Sequence, residues 1–181
     1  MKSSWKTLSS KIIYQNNFIK FFLNEVIQPD GKTSEYPLIE RRSSVVIIPV
    51  DKDNSVSLIK QYRYILGKKY LELPAGYIEE GETPLITAKR ELAEEVHLKA
   101  NKWIFLGASY MTASIFKAKH NFFLATDLEE KHEKGDPTEE ITIIKKPLHD
   151  IIDLIMKKRI ENGPTVTGIL LAEKFLKEGK L

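Results

Sequence analysis

The chain has 181 residues, of which 42% are hydrophobic and 29% charged, and its formal net charge is +3. This length fits one domain, or one domain with a small appendage, and the composition is ordinary for a globular protein. The absence of cysteine excludes disulfides, thiolate catalysis and Cys-based zinc sites. No apolar run approaches the roughly 18 residues of a membrane span, and no basic run interleaved with aromatic residues indicates nucleic-acid binding. We therefore expect a cytoplasmic protein with no membrane or nucleic-acid partner.

Residues 1–42 predict an antiparallel β appendage ahead of a main domain that spans residues 43–181. Segments rich in β-forming residues are separated by turn residues and cover Lys11–Tyr14, Phe18–Ile27 and Ser34–Glu40. The turn signal Pro29-Asp30-Gly31-Lys32 lies between the last two of them, and it favours a hairpin.

The main domain predicts strands mixed with three helices. The strands are expected at Val45–Val50, Val56–Gln61, Tyr70–Leu73, Trp103–Ser109, Asn121–Ala125 and Ile141–Lys145. The polar and acidic segment Asp127–Thr138 predicts a mobile loop. Pro147 begins a helix that runs to about Ile160, Glu161–Pro164 ends it, and Thr165–Lys177 forms the last helix. This order of elements predicts a layered α/β (α+β) architecture.

The first of these helices follows Thr83, a suitable N-cap, and has Pro84 at its first position, where the missing N–H costs nothing. At 100° per residue one apolar stripe is expected to face the core, formed by Leu85, Ala88, Leu92 and Val96.

Three carboxylates, from Glu91, Glu94 and Glu95, occupy an adjacent arc of this helix, and Arg90 lies one turn before Glu94. So much negative charge destabilises a helix unless a cation lies against it. A hard divalent metal takes oxygen ligands and is usually shared with phosphate. A solvated acidic face is the alternative interpretation. The metal is favoured because a Gly, a further Glu and an Arg also stand at set distances from these carboxylates over 23 residues.

The segment Gly76–Leu98 resembles the Nudix box, G-x5-E-x7-R-E-U-x-E-E-x-G-U, at every position except His97, which replaces the last Gly. His97 is expected to cap the helix with positive φ, and a role as metal ligand is the alternative. The resemblance implies a mixed β-sheet sandwiched between helices, and Mg²⁺ as cofactor with Mn²⁺ as a possible substitute. It assigns the metal ligands to Glu91, Glu94, Glu95 and the carbonyl of Ala75. It also makes Arg90 catalytic, because Arg90 holds Glu94, and gives Gly76 and Glu82 structural roles.

Gln61-Tyr62-Arg63 and Leu71–Gly76 resemble signatures of the Nudix branch that hydrolyses ADP-ribose and related nucleoside diphosphate sugars. The resemblance implies that Arg63 contacts phosphate or ribose, a role that suits its planar fork. As an alternative, Arg63 is a structural ion-pair partner of Glu72.

In this branch the N-terminal segment is often exchanged between two subunits, which implies a homodimer. By position, Trp5 and Tyr36 resemble the aromatic residues that sandwich adenine, and Arg41 resembles a phosphate-binding Arg. Packing of the two rings on the sheet is the alternative. Late in the chain, Asp136–Ile141 is similar to a segment that supplies a further carboxylate, with Glu139 as the candidate and Glu140 as the alternative.

One loop departs from the branch. Members of the branch usually carry Ser-Pro-Gly, and a Glu a few residues later, after the strand that follows the box. In this chain the corresponding segment is Met111–His120, which contains no Pro, Gly or Glu and has Thr112-Ala113-Ser114 in place of Ser-Pro-Gly. The expected reaction is hydrolysis of the pyrophosphate bond of ADP-ribose or a related nucleoside diphosphate sugar into two monophosphates. A different nucleotide sugar or a dinucleotide is an alternative substrate, and a non-catalytic nucleotide-sugar sensor is an alternative function.

Overall fold

A computed structural model of the protein describes residues 4–110, 112–131, 133 and 140–179. The chain divides into two compact units. The first contains the described residues of Met1–Ser43 together with those of Ser109–Lys119, and the second contains those of Ser44–Ala108 and His120–Leu181. No local sequence signal assigned Ser109–Lys119 to the first unit.

The strands and helices follow the predicted order. The strands are β1 (Lys6–Gln15), β2 (Ile19–Ile27), β3 (Thr33–Arg41), β4 (Ser44–Pro49), β5 (Ser55–Arg63), β6 (Lys68–Glu72), β7 (Ala75–Tyr77), β8 (Leu98–Tyr110), β9 (Phe116–Lys117), β10 (Lys119–Glu130) and β11 (Ile141–Pro147). The helices are α1 (Pro84–Val96), α2 (Leu148–Met156) and α3 (Gly163–Lys177), with a 3-10 turn at Tyr64–Leu66. Of the described helices, none has the length and apolar character needed to cross a membrane.

The first unit is one four-stranded sheet in the order β1-β2-β3-β9. β1, β2 and β3 pair antiparallel, and β9 pairs parallel with β3. The predicted turn between β2 and β3 is present: the N–H of Gly31 donates to the carbonyl of Gln28 at 2.9 Å, and Gly31 has a φ of 84°. β1 lies at the edge of this sheet, and all of its residues, on both faces, are exposed.

The second unit has two sheets, in the orders β7-β4-β10-β8 and β11-β5-β6. β4 pairs parallel with β10 and antiparallel with β7, so the first sheet is mixed. All residues of β4 are buried. Val46 and Ile48 join the core cluster of α2 and α3, whereas Val45 and Ile47 join the cluster of α1. Because successive side chains of a strand point to opposite faces, helices cover β4 on both sides, which explains its continuous apolar run.

Two sequence predictions about the limits of elements were wrong. Asp127–Glu130 belongs to β10 and not to a loop, and Asp127 and Glu129 both accept hydrogen bonds from Asn101 on β8. α2 ends at Met156, well before Ile160, because Lys158 adopts a φ of 56°. The expected break between the last two helices is present, and α3 begins at Gly163, two residues before the predicted Thr165.

Candidate active site

The site is built on α1, whose two ends follow the sequence prediction. The hydroxyl of Thr83 accepts a hydrogen bond from the N–H of Ile86 at 3.3 Å, and Pro84 lies in the first turn. At the other end His97 adopts a φ of 56°, and its N–H donates to the carbonyl of Leu92. The predicted N-cap and the predicted positive-φ cap at His97 are both confirmed.

The carboxylates of α1 lie deeper than the sequence indicated. Glu91 and Glu95 are only 9% and 6% exposed, while Glu94 is half-buried. In the predicted apolar stripe, Leu85 is 37% exposed and was wrongly assigned to the core. Ala88, Leu92 and Val96 are buried as expected. The buried arc of α1 is therefore turned toward its acidic side, which brings two carboxylates into the interior.

Arg90 connects these carboxylates to the loop ahead of the helix. Its Nη1 donates to Glu91 at 2.7 Å and to Glu94 at 3.0 Å, so the predicted pairing with Glu94 is confirmed. Its Nε donates to Glu82 at 2.9 Å, and its Nη2 donates to the carbonyl of Tyr77 at 3.2 Å. The hydrogen bond with Glu82 is the main reason that the pKa of Arg90 is raised. Arg90 is therefore charged at every accessible pH and holds three carboxylates in place.

Glu82 ties the loop before α1 to the helix. Besides Arg90, its carboxylate accepts hydrogen bonds from the Thr87 hydroxyl at 2.7 Å and from the N–H of Glu79 at 3.2 Å. These donors, with Arg90 first, lower the pKa of Glu82 from 4.5 to about 2. The fully buried Thr87 is a partner that the sequence analysis missed, because its spacing from Glu82 carries no recognised signal.

The lowered pKa of Glu82 predicts a pH-dependent contribution to stability. Because the folded state disfavours the protonated form, the contribution is complete above about pH 5 and disappears as the pH falls toward 2. Replacing Glu82 with Gln should lower the free energy of unfolding by about 1–3 kcal/mol at pH 7, and this difference should vanish near pH 2. Urea unfolding at pH 7, 5 and 3 measures it, with Glu80→Gln at an exposed loop position as control. A difference that is the same at all three pH values contradicts the assignment.

The loop between β6 and β7 lies against the buried carboxylates. The N–H of Ala75 donates to Glu95 at 2.8 Å. A Cβ added at Gly76 would overlap the carboxylate of Glu91. The φ of Gly76 is not positive, so this position needs glycine for space and not for backbone conformation. Ala75 and Gly76 thus contact one buried carboxylate each.

The donor set suits a hard divalent cation, since it consists only of carboxylate and carbonyl oxygens. In the part of the chain that the structure describes, no group of three or more His, Asp or Glu side chains stands in an arrangement that could hold a metal ion. Arg90 and the N–H of Ala75 engage the carboxylates instead. The residues therefore fit a metal by chemistry, with Glu95 buried beside Ala75 and Glu91 buried beside Gly76.

Arg63 has the ion-pair partner that the sequence analysis gave as an alternative. Its Nε and Nη2 donate to the buried Glu72 at 3.0 and 2.5 Å. The Arg63 side chain remains 41% exposed. A bidentate pair of this kind fixes the plane of the guanidinium. The substrate-binding role of Arg63 stays a prediction.

In the first unit Trp5 and Tyr36 contact each other, with ring centroids 5.7 Å apart and planes at 74°. This edge-to-face arrangement leaves no gap for a base between the two rings, and sandwiching of adenine stays a prediction. The Tyr36 hydroxyl donates to the carbonyl of Ser114 at 3.0 Å. Arg41 is half-buried, and burial lowers its pKa. Its phosphate-binding role is likewise a prediction.

The segment expected to supply a late carboxylate is only partly described. Glu139 lies outside the described residues. Glu140 is 82% exposed and lies 3.7 Å from the Lys69 ammonium. In the loop that departs from the branch, Lys117 pairs with Glu40 at 2.7 Å within the first unit.

Comparison with known proteins agrees with this geometry. Residues 40–166 match the NUDIX domain, and residues 5–39 match the nucleoside diphosphate sugar hydrolase N-terminal domain. The methanol dehydrogenase activator of Bacillus methanolicus is 29% identical over 91% of this chain and 90% of its own. The ADP-ribose pyrophosphatase of Bacillus subtilis has the same identity and coverage. The crystal structure of an ADP compounds hydrolase superposes with a TM-score of 0.88 at 26% identity, covering 97% of this chain and 95% of the other.

The matched NUDIX domain contains the whole of α1 and the loop that packs on it. Nudix hydrolases generally need a divalent metal, which agrees with the oxygen donors of Glu91, Glu94 and Glu95. The predicted mixed sheet between helices and the predicted family are confirmed. The chain belongs to the Nudix family and is a pyrophosphohydrolase.

Proposed function

We propose that this chain hydrolyses the pyrophosphate bond of ADP-ribose or a related nucleoside diphosphate sugar, giving a nucleoside monophosphate and a sugar phosphate. The observation that carries the proposal is the pair of buried carboxylates, Glu91 and Glu95, which lie against Gly76 and Ala75, while Arg90 links Glu91 to Glu94. The similarity to proteins named ADP-ribose pyrophosphatase and ADP-sugar pyrophosphatase supports this substrate class.

The cofactor in this proposal is Mg²⁺, with Mn²⁺ able to replace it. Glu91, Glu94, Glu95 and the carbonyl of Ala75 would hold it. When bound, it neutralises phosphate charge and makes a water molecule more acidic. Glu91 and Glu95 are the main ligands because they are buried and one helical turn apart.

The side chains of the chain perform the remaining steps. Arg90 keeps Glu94 and Glu91 in fixed orientations, and Glu82 braces Arg90 in turn. A carboxylate accepts a proton from the attacking water as the new P–O bond forms and the bridging P–O bond breaks. Glu139 and the carboxylates of α1 are the alternatives for that base.

Substrate contacts are proposed for Arg63 and, in the first unit, for Trp5, Tyr36 and Arg41. Stacking of a base on an aromatic ring contributes about 1–3 kcal/mol.

We further propose a homodimer formed through the N-terminal segment, of which β1 is exposed over its full length. Sedimentation equilibrium of the full chain tests the dimer, and a monomer at all concentrations contradicts it. The cytoplasmic location stays a prediction.

A second substrate class follows from the altered loop. Residues 112–120 contain no Pro, Gly or Glu, which favours a nucleotide sugar or dinucleotide other than ADP-ribose. A sensor without catalysis has less support, because Glu91, Glu94 and Glu95 are all present.

The test is release of monophosphates from a panel of ADP-ribose, ADP-glucose, GDP-mannose, UDP-glucose, NADH and diadenosine polyphosphates. Each is assayed with Mg²⁺, with Mn²⁺ and with EDTA. Cleavage of one or more that EDTA abolishes supports the proposal, and the preferred compound identifies the substrate class. Tight binding without cleavage of any compound contradicts it and supports the sensor.

A further inference from the structure

The loop between β6 and β7, together with Ala75 at the start of β7, is hydrogen-bonded to three other elements. The N–H of Leu73 donates to the Thr165 hydroxyl on α3 at 3.0 Å. The carbonyl of Pro74 accepts from the N–H of Ile47 on β4 at 2.9 Å. The N–H of Ala75 donates to Glu95 on α1 at 2.8 Å. Three consecutive residues are therefore each hydrogen-bonded to a different element. Of these three contacts, the one made by Ala75 is to α1, the helix of the Nudix box.

Thr165 is placed to make this contact rigid. It is 1% exposed, and its hydroxyl and N–H both donate to the Asn162 side-chain oxygen, at 2.8 and 2.9 Å. With its proton directed at Asn162, the hydroxyl presents lone pairs to Leu73. Proline has no N–H, so Leu73 supplies the last backbone donor before Ala75. The N-cap of α3 is thereby coupled to the loop that contacts Glu95.

Gly168 shows that α3 also holds the Leu73 side chain. A Cβ at Gly168 would lie 2.8 Å from Leu73 Cδ1, closer than real Cβ contacts allow. Leu73 is 1% exposed and belongs to the same core cluster as Ile169 on α3. α3 therefore fixes both the backbone and the side chain of Leu73.

We propose that Thr165 is a positioning residue for hydrolysis. Through the N–H of Leu73 it sets the position of the Ala75 backbone, and through Ala75 it sets the orientation of the buried Glu95 carboxylate. Its hydrogen bonds join it to Leu73 and Asn162. The inference rests on the proposed function, since it assigns Ala75 and Glu95 to the metal site.

The test compares Thr165→Val, which keeps the shape but removes the hydroxyl, with Thr165→Ser, which restores it. Thr167→Val makes the same chemical change at a half-buried position on the same helix and is the matched control. For each full-length variant, kcat and KM are measured on the compound that the wild type cleaves. Mn²⁺ affinity is measured separately by electron paramagnetic resonance without substrate.

Thr165→Val is expected to lower kcat and Mn²⁺ affinity by about 10–100-fold, the usual effect of losing a residue that orients a metal ligand, while KM for the substrate stays nearly constant. Thr165→Ser should recover both quantities, and Thr167→Val should resemble the wild type. Wild-type kcat and Mn²⁺ affinity in Thr165→Val would overturn the inference. A loss that merely follows the unfolded fraction, or that Thr165→Ser does not recover, would also overturn it.

Two further outcomes remain decisive. If Thr165→Val does not fold, Thr165→Cys replaces it with the same expected direction, because a thiol is a weak donor and acceptor of similar size. If the wild type cleaves no compound, the proposed function is wrong. The Mn²⁺ comparison then decides on Thr165 alone: weaker binding that Ser restores supports positioning, and equal binding overturns it.

Discussion

Glu95→Gln is expected to lower kcat by about three orders of magnitude while the protein stays folded. The substitution removes the negative charge of a carboxylate that is 6% exposed. It keeps a side-chain oxygen that can accept the hydrogen bond from the N–H of Ala75, which is 2.8 Å from Glu95. Since the packing and this contact are preserved, the loss should appear in turnover and metal affinity and not in the fold.

The measurement is steady-state hydrolysis of the preferred compound, together with the thermal midpoint Tm. Glu173→Gln is the matched control, because it makes the same change on α3, where Glu173 pairs with Lys177 one helical turn away at 2.6 Å. The control should retain wild-type kcat, since Glu173 lies outside the proposed site and an i,i+4 ion pair on a helix contributes little. Near-normal turnover by Glu95→Gln, with Mn²⁺ affinity unchanged, would remove Glu95 from the metal site.

Gly76→Ala should lower kcat/KM by about 100-fold and the free energy of unfolding by about 1–3 kcal/mol, because it overpacks a filled site. The new Cβ would overlap the carboxylate of Glu91, so that carboxylate must move. Glu91 is 9% exposed and bound to Arg90 at 2.7 Å, which leaves it little room to do so. Displacement of a functional group by about 1 Å can cost on the order of 100-fold in rate. The backbone itself tolerates alanine, because the φ of Gly76 is not positive.

Gly163→Ala is the control for this substitution, since nothing lies within 4 Å of a Cβ at Gly163 and its φ is not positive either. Activity and Tm are measured on both variants. The control should be active and at least as stable as the wild type, because it removes a glycine from a helix. Wild-type kcat/KM in Gly76→Ala would show that the Glu91 carboxylate is free to relocate, and would contradict its assignment as a fixed ligand.

The sequence predicted the site helix well because its signals are local. Thr83, Pro84 and His97 act on backbone groups within a few residues of themselves, and each does so in the structure. The Arg90–Glu94 pair is also a local signal, because the two residues are one helical turn apart. β4 was also predicted from a local signal, since a continuous apolar run is typical of a strand that is covered on both faces.

Two of the wrong predictions share another cause. Asp127–Glu130 is polar enough for a loop, yet Asn101 and Lys99 on the neighbouring strand hydrogen-bond and pair with its acidic side chains. Leu85 follows the apolar period of α1, yet the helix is turned so that Glu91 and Glu95 are buried instead. In both cases a partner from another element reversed the local preference, as tertiary packing often does.

The family and the ends of α1 could be predicted from the sequence alone. So could the carboxylates that share one face of α1, because spacing along a helix specifies which side chains lie on the same side. Three contacts depend on the folding of the whole domain: Glu91 lies beside Gly76, Glu82 accepts a hydrogen bond from Arg90, and Thr165 accepts one from the N–H of Leu73. Leu73 and Thr165 are 92 positions apart in the chain. No periodic or capping signal extends over such a distance, since contacts of this kind exist only once the sheet and α3 have packed on each other.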